Sequence, residues 1–125
     1  MSETRVVHVN DGVDGAVYIG RYMPPAKGRR LLPASRFANQ FKIGTVPWWA
    51  DRPLTRADAI EAYRKHLLDH PAFLDLLIPL RGKPLACWCR HDGEAKTEAT
   101  ACHGDVLIEI LDRYTDDELR EMAKP

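Results

Sequence analysis

Hydrophobic positions near the start of the chain fall in two short runs that favour strands. Val6, Val7 and Val9 form the first run, and residues 17–19 (Val-Tyr-Ile) form the second. Branched and aromatic side chains of this kind fit a half-buried pleated surface. Asp-Gly pairs at residues 11–15 separate the two runs. We therefore predict two short strands that flank a turn.

Helical spacing begins after Thr55, where apolar side chains recur every three or four positions at Ala59, Ile60, Tyr63 and Leu67. Thr55 followed by Asp58 is typical of a helix N-cap, so we predict a helix over residues 56–69. The same spacing predicts a second short helix over 72–80 and an amphipathic helix over 106–114. Residues 85–89 form a short apolar run that predicts a buried strand.

Between these regions, residues 22–53 hold five of the nine prolines: Pro24, Pro25, Pro33, Pro47 and Pro53. Proline lacks a backbone donor and interrupts regular elements. The pattern predicts a long structured loop with at most one short helix, near residues 34–40. Long loops in small domains are uncommon unless they line a site.

Strand and helix patterns in this order indicate an α/β protein, and we expect a small Rossmann-like sheet flanked by helices. The length of 125 residues fits one domain over 1–125, with its core at about 5–114 and a charged tail at 115–125 that adds a turn or frays. An apolar run near the ~18 residues of a membrane span is missing from the sequence, as is a signal-peptide pattern. We expect a cytoplasmic protein with no membrane contact.

The net charge of zero hides one basic segment, residues 21–42, which contains no Asp or Glu. Its basic residues are Arg21, Lys27, Arg29, Arg30, Arg36 and Lys42. Such a segment is suited to phosphate on a nucleotide or nucleic acid, although an ordinary solvated loop has the same composition. Neutral overall charge argues against strong nonspecific DNA binding.

Cysteine and histidine are concentrated in two blocks, Cys87-Trp88-Cys89 and Cys102-His103-Gly104-Asp105. Alternate side chains of a strand share a face, so Cys87 and Cys89 are expected side by side. Cys102 and His103 precede the last predicted helix, whose start lies near a strand's carboxyl end in α/β folds. Three thiols and one imidazole are an accepted zinc environment, in which His91 is an alternative to His103. Unliganded structural thiols are an equally open interpretation.

The helix start suggests a catalytic interpretation of the same block. Backbone N–H groups and the helix dipole favour a thiolate at Cys102, with His103 and Asp105 as candidate catalytic partners. A helix-capping carboxylate is the other role open to Asp105.

A second candidate constellation lies earlier in the chain. Gly20 permits close ligand approach, Arg21 offers a guanidinium fork, and Ser35 and Asn39 supply polar groups for a base or sugar edge. The adjacent tryptophans Trp48 and Trp49 in this proline-rich stretch are suited to stacking on a base or to covering the core.

Taken together, residues 18–21, 35–44, 81–89 and 102–105 resemble a family of small bacterial and phage proteins known as domain of unknown function 4326. The resemblance spans roughly residues 6–111, and its Cys-Trp-Cys and Cys-His-Gly-Asp blocks stand unaltered here. Two departures are Gln40, where the family usually has proline, and a longer loop between the cysteine blocks. The family supplies a choice of residues and no activity.

From these observations we expect a domain that binds a nucleotide or a nucleic-acid component, with group transfer or hydrolysis at the Cys/His site if it is an enzyme. The alternative is a zinc-stabilised binding module without catalysis. Such a module would meet a host protein or nucleic acid through the basic segment 21–42.

Overall fold

Three short parallel strands form the central sheet in a computed structural model that describes residues 4–27 and 30–124. They are β1 (Arg5–His8), β2 (Val17–Tyr18) and β3 (Pro84–Cys87), in the spatial order β1-β3-β2. Because both pairings are parallel, the carboxyl ends of all three strands lie at one edge of the sheet. This edge carries the candidate site.

The burial of β3 explains its place between the other two strands. All four of its residues are buried, as expected for a parallel strand covered on both faces. The two predicted amino-terminal strands are confirmed as β1 and β2. They do not pair with each other, because β3 lies between them, and the predicted turn includes a short 3-10 helix at Val9–Asp11.

Helix α1 spans Arg56–Asp69, as predicted, and begins with a reciprocal cap. Thr55 Oγ1 accepts from the backbone N–H of Asp58 at 3.1 Å, and Asp58 Oδ2 accepts from the N–H of Thr55 at 2.9 Å. The predicted helix 72–80 is a 3-10 helix, Pro71–Leu80, which contains Pro79. Pro79 has no backbone N–H and therefore cannot donate the hydrogen bond that a regular α-helix requires at this position.

The predicted carboxyl-terminal helix is α2, His103–Arg113, and it starts three residues earlier than its apolar stripe suggested. Its buried residues are Gly104, Val106, Leu107, Ile110 and Leu111. A Cβ added at Gly104 would lie 2.8 Å from Ile19 Cδ1, so glycine lets the first turn of α2 approach the end of β2. The Cys-His-Gly-Asp block is thereby placed at the sheet's carboxyl edge.

The tail forms helix α3, Asp116–Ala123, with Thr115 as N-cap. Arg81 holds the corner between α2 and α3 by donating to the carbonyls of Leu111 at 2.6 Å and Tyr114 at 2.8 Å. The Arg81 guanidinium also pairs with Asp116 at 2.7 Å. Arg81, which lies in one of the blocks of the family resemblance, therefore has a structural role. The α/β class is confirmed.

A long loop, residues 19–55, joins β2 to α1 and is hereafter called the long loop. Its described part, 19–27 and 30–55, holds turns and an isolated bridge between Met23 and Leu32, with no helix. The predicted helix at 34–40 is therefore wrong. Ser35 instead starts a turn, in which its Oγ accepts from Phe37 N at 3.0 Å and its carbonyl accepts from Ala38 N at 3.1 Å.

Among the described residues, none of the helices is both long enough and apolar enough to cross a bilayer.

Candidate metal centre and ligand cavity

Three cysteines converge at the carboxyl end of β3. The sulfurs of Cys87, Cys89 and Cys102 all lie within 4.8 Å of one another. Cys87 ends the strand, Cys89 follows in the next bend, and Cys102 is the N-cap of α2. The Sγ atoms of Cys87 and Cys102 are 3.0 Å apart. Three thiols at these separations could hold a metal ion.

Arg56 is a positively charged side chain in contact with this cluster. It occupies the first position of α1, and its Nη1 lies 3.4 Å from Cys89 Sγ and 3.0 Å from the carbonyl oxygen of Ala101. Hydrogen bonds from Cys102 and Cys87, together with the guanidinium of Arg56, hold the pKa of Cys89 far below its usual value. The cluster therefore carries a thiolate at neutral pH.

The sulfur in contact with a guanidinium is that of Cys89, whereas the position at the helix start led us to expect a thiolate at Cys102. Hydrogen bonding to Cys87 and Cys89, together with burial, raises the pKa of Cys102. The sulfur of Cys102 accepts from Gly104 N at 3.4 Å, which is the role of an N-cap side chain. Cys102 thus acts as the N-cap of α2, and Cys89 is the sulfur that contacts Arg56.

His103 lies beside the triad but outside the set of mutually close sulfurs. Its Nε2 is 2.7 Å from the carbonyl oxygen of Ile19, so Nε2 carries the proton and donates it. The unprotonated Nδ1 then lies 3.7 Å from Cys102 Sγ. Burial lowers the pKa of His103, which keeps the ring neutral. A neutral ring with a lone pair toward Cys102 is the form of histidine that binds metals.

Asp105 has a structural role in this arrangement. Its two carboxylate oxygens accept from the Arg90 guanidinium at 2.5 and 2.8 Å, and both side chains are about nine-tenths buried. Its Oδ2 also accepts from Cys102 N at 2.9 Å, completing the cap of α2. Of the two roles considered for Asp105, the geometry favours the capping carboxylate over the catalytic one.

The cysteine cluster forms one wall of a cavity of about 460 Å³, hereafter called the cysteine cavity. Among the predicted site residues, Gly20, Arg21, Asn39, Cys87, Cys89, Cys102 and His103 line it. Tyr22, Lys42 and Trp88 contribute further aromatic and basic surface. The two constellations found separately in the sequence therefore meet across one cavity.

Arg21 and Asn39 are bound to the long loop as well as facing the cavity. Arg21 Nε donates to the carbonyl of Asn39 at 2.9 Å. The Asn39 amide donates to Ala59 O at 3.1 Å, and its Oδ1 accepts from Phe41 N at 2.9 Å. Both polar ends of Asn39 are thus engaged in holding the loop against α1.

Gly20 is required by the side chain of Tyr18. A Cβ at position 20 would collide with the tyrosine ring, whose hydroxyl donates to the carbonyl of Arg21 at 2.5 Å. The same hydroxyl accepts from Trp88 Nε1 at 3.2 Å. The Tyr-Ile-Gly-Arg block therefore shapes the cavity wall by its own packing. Ser35 lies outside the residues that line the cavity and forms the turn described above.

His91, the alternative to His103, lies in a different cluster. Its Nδ1 pairs with Asp11 Oδ1 at 2.5 Å, and its ring stacks on His8 with centroids 4.2 Å apart. Hydrogen bonding to Asp11 raises the pKa of His91. The structure therefore favours His103 over His91 as the histidine beside the cysteines.

Within the basic segment 21–42, only part of the charge reaches the cysteine cavity. Arg21 and Lys42 line it, whereas Arg36 lines a smaller cavity beside Tyr63 and Phe73. Lys27 is exposed, and Arg29 lies outside the described residues.

The tryptophan pair lies on another face of the molecule. Trp48 is 95% exposed, and with Trp49 it borders an open groove of about 730 Å³ along α1. Phe41 and His66 complete an aromatic edge of this groove. The pair therefore neither covers the core nor stacks in the cysteine cavity.

Sequence reasoning missed Arg56 as part of the site. Its position at the start of α1 was predicted, but a basic residue in a first helical turn has no sequence signal for contacting a sulfur 33 residues away. Arg90 was likewise missed, although it follows the Cys-Trp-Cys block directly. Its pairing with Asp105 depends on α2 returning to the end of β3.

The model of a family described as "Domain of unknown function (DUF4326)" matches residues 5–113 of the chain. Neither the curated proteins nor the solved structures yielded a match.

Proposed function

We propose that this chain, which belongs to the DUF4326 family, holds a zinc ion in its cysteine cluster and binds a nucleotide or nucleic-acid component in the cysteine cavity. The observation that carries the proposal is the convergence of three sulfurs within 4.8 Å in the wall of a cavity that also presents Arg21 and Lys42. The zinc and the nucleotide are separate parts of the proposal, and each has its own test.

The sulfur spacing suits zinc after a small adjustment. Tetrahedral coordination with Zn–S bonds of about 2.3 Å places neighbouring sulfurs about 3.8 Å apart. The Cys87 and Cys102 sulfurs, now 3.0 Å apart, would have to separate by about 0.8 Å to reach this spacing, and metal binding displaces the thiol protons. The soft thiolates favour zinc over magnesium or calcium.

Charge balance supports the same assignment. Three thiolates and one Zn²⁺ leave one excess negative charge, and Arg56 is in contact with Cys89 to offset it. The hydrogen bond to Asp105 is the main cause that raises the pKa of Arg90, so Asp105 already balances the charge of this second guanidinium.

His103 would supply the fourth ligand through Nδ1. The hydrogen bond from Nε2 to Ile19 O orients the ring and fixes its tautomer, as such outer contacts do in zinc sites. If His103 fills the fourth coordination position, no position is left for a water or a substrate. This case favours the alternative function, a metal-stabilised binding module without catalysis. If instead the fourth position faces the cavity, bound zinc supplies an activated water for group transfer or hydrolysis on the ligand.

The cavity is suited to a phosphate-bearing ligand of nucleotide size. Its volume of about 460 Å³ lies within the range of small-molecule sites. Arg21 and Lys42 offer positive charge, and Trp88 and Tyr22 offer flat surfaces for a base. A Rossmann-like fold, which we propose for this chain, supports a ligand at this position, because ligands of such folds bind at the carboxyl edge of a parallel sheet.

Metal analysis tests the zinc assignment. Protein purified without chelator should contain about one zinc per chain, and Cys87→Ser should lose it. Removal of zinc by excess chelator should lower the melting temperature, since the free energy of metal binding contributes to folding. A metal-free protein that takes up no added zinc, and whose melting temperature is insensitive to chelator, would contradict the assignment.

Histidine variants locate the fourth ligand. His103→Ala should weaken zinc binding, whereas the matched variant His91→Ala should leave zinc affinity unchanged, because His91 pairs with Asp11 elsewhere. Cobalt substitution gives a second readout, since the absorption of bound Co²⁺ reports the geometry and the ligands of the site. Equal zinc affinity in both variants would mean that the fourth position is open to the cavity.

Ligand titration tests the nucleotide separately. Adenosine monophosphate, adenosine and inorganic phosphate are titrated into the purified protein by calorimetry, together with the other common mononucleotides. A nucleotide should bind more tightly than either the nucleoside or phosphate alone, because the basic and aromatic surfaces then act together. Absence of binding for every mononucleotide, with zinc present, would overturn this part of the proposal.

A further inference from the structure

One sulfur of the triad differs from the other two in its access to the cavity. Cys87 and Cys102 are 2% and 1% exposed, whereas Cys89 is only partly buried and lies against Arg56. A small oxidant that enters the cysteine cavity therefore meets Cys89 first. Two further sulfurs lie within 4.8 Å behind it.

We infer that the cluster is a peroxide-responsive site in which Cys89 is oxidised and Cys102 resolves the product as a disulfide. An accessible, charge-stabilised sulfur beside a second thiol is the arrangement found in redox-sensing cysteines. Arg56 places its positive charge 3.4 Å from the reacting sulfur, where a guanidinium favours attack by a cysteine. The inference concerns regulation of the proposed zinc site and rests on that proposal only for its effect on the metal.

The chemistry balances with hydrogen peroxide as the oxidant. The Cys89 thiolate attacks one peroxide oxygen, the O–O bond breaks, and hydroxide leaves, so that Cys89 becomes a sulfenic acid. The Cys102 thiol then attacks the Cys89 sulfur, the S–O bond breaks, and water leaves with the thiol proton. The two sulfurs lose two electrons in total, and the peroxide gains them.

Cys102 is the better resolving residue for a geometric reason. Cys87 and Cys89 are separated by one residue, so a disulfide between them would strain the short backbone segment that joins them. Cys102 comes from a different element, the start of α2, and its sulfur approaches the cluster without that restraint. The expected product is therefore a bond between residues 89 and 102.

Formation of this disulfide would release the metal. Two of the three sulfur ligands would be joined to each other and would no longer be thiolates able to bind zinc. The reduced chain would hold the ion, and the oxidised chain would not. Reduction of the disulfide by a thiol would restore the site.

Peptide mapping tests the inference on the full chain. Trypsin leaves Cys87 and Cys89 in one peptide, residues 82–90, and Cys102 in another, residues 97–113. After stoichiometric peroxide, a cross-link between these peptides that disappears on reduction is expected, and fragmentation should assign it to Cys89. Three unmodified thiols, or a disulfide confined to peptide 82–90, would overturn the inference.

Two variants, Cys102→Ser and Arg56→Ala, test the roles assigned to these residues, and each has a chemical readout that does not depend on folding alone. Cys102→Ser should accumulate a sulfenic acid at Cys89, trapped by a dimedone-type reagent, in place of the cross-link. Arg56→Ala should slow the reaction severalfold, whereas the neighbouring variant Arg52→Ala should react like the parent, because Arg52 pairs with Asp58. Equal rates for both arginine variants would remove Arg56 from the mechanism.

Zinc release separates this inference from the proposed function. In zinc-loaded protein, a chromophoric chelator should register release of the ion in step with the cross-link. If the purified protein holds no zinc, the cross-link is still expected, and only the metal assignment fails. If zinc stays bound while the cross-link forms, the regulatory role is overturned.

Discussion

Buried apolar side chains hold the strands and helices together, whereas the long loop relies also on polar side chains, in addition to its buried Ile19, Phe37 and Leu54. The buried stripe of α2, for example, includes Leu107 and Leu111, which are 0% and 2% exposed. The long loop is tied down by Tyr63, which donates to the carbonyl of Phe37 at 2.7 Å, and by Asn39. Regular elements thus depend on burial, and the loop depends on a few specific hydrogen bonds.

The cysteine cavity lies between these two regions and takes different groups from each. Sulfurs at the ends of β3 and α2 come from regular elements, which hold ligands in a fixed geometry. Arg21 and Lys42 come from the long loop, which can adjust to a ligand. We therefore expect substitutions on the side of the regular elements to lower stability, and substitutions on the side of the long loop to weaken ligand binding.

The largest effect is expected for Asp105→Ala. This change leaves Arg90 buried without its partner and removes the cap of α2, so the free energy of unfolding should fall by about 3 kcal/mol. Urea denaturation measures it. The matched control Asp117→Ala, in the first turn of α3 but exposed, should change stability by less than about 0.5 kcal/mol. If Asp105→Ala abolishes function but leaves the free energy of unfolding unchanged, Asp105 has a catalytic role.

Arg21→Ala should act on binding more than on stability. Loss of a charge-assisted contact should weaken nucleotide binding by roughly 1.5 to 3 kcal/mol, while the melting temperature changes little, because the side chain is exposed. Arg36→Ala is the control, since Arg36 lies outside the cysteine cavity.

Lysine at position 21 refines this result. Arg21→Lys should restore binding only in part, because it keeps the charge and loses the planar fork. Full rescue would reduce the role to general electrostatics and favour the binding-module alternative. A large loss of stability in Arg21→Ala would instead assign the residue to the framework of the loop.

Tyr63→Phe should cost about 1 to 2 kcal/mol of unfolding free energy, because it leaves the buried carbonyl of Phe37 without its donor. Tyr22→Phe, at an exposed tyrosine of the long loop, is the matched control and should be neutral. Hydrogen exchange should show faster opening of the long loop in Tyr63→Phe. A neutral result would mean that the loop is held by apolar packing, as the regular elements are.

The smallest effect is expected for Trp48→Ala, which should change the free energy of unfolding by less than about 0.5 kcal/mol because the side chain is 95% exposed. Trp49→Ala should cost more, since Trp49 is half exposed and its ring packs edge-on against Phe41. Thermal denaturation of both variants measures the difference. A larger loss for Trp48→Ala would show that the tryptophan pair is part of the packed structure.

The sequence was most informative where local and tertiary requirements agree. Helix α1 was predicted with its bounds and its cap because Thr55 and Asp58 act through neighbouring backbone atoms. Convergence of Cys87, Cys89 and Cys102 is confirmed, although the strand predicted over 85–89 ends at Cys87 and Cys89 follows in a bend. By contrast, the predicted helix at residues 34–40 failed, because Ser35 and Asn39 bond to the backbone two residues on and favour turns.

The sequence by itself determined most of the strands and helices, the apolar faces and the identity of the clustered cysteines, because each depends on residues close together in the chain. Only the tertiary structure decided that β3 lies between β1 and β2, that Arg56 contacts Cys89, and that Asp105 is held by Arg90. The two side-chain contacts join residues 33 and 15 positions apart, and the place of β3 depends on the order of strands in the sheet. No local periodicity encodes them, since they arise when separate apolar surfaces are buried together and bring polar groups into the same low-dielectric space.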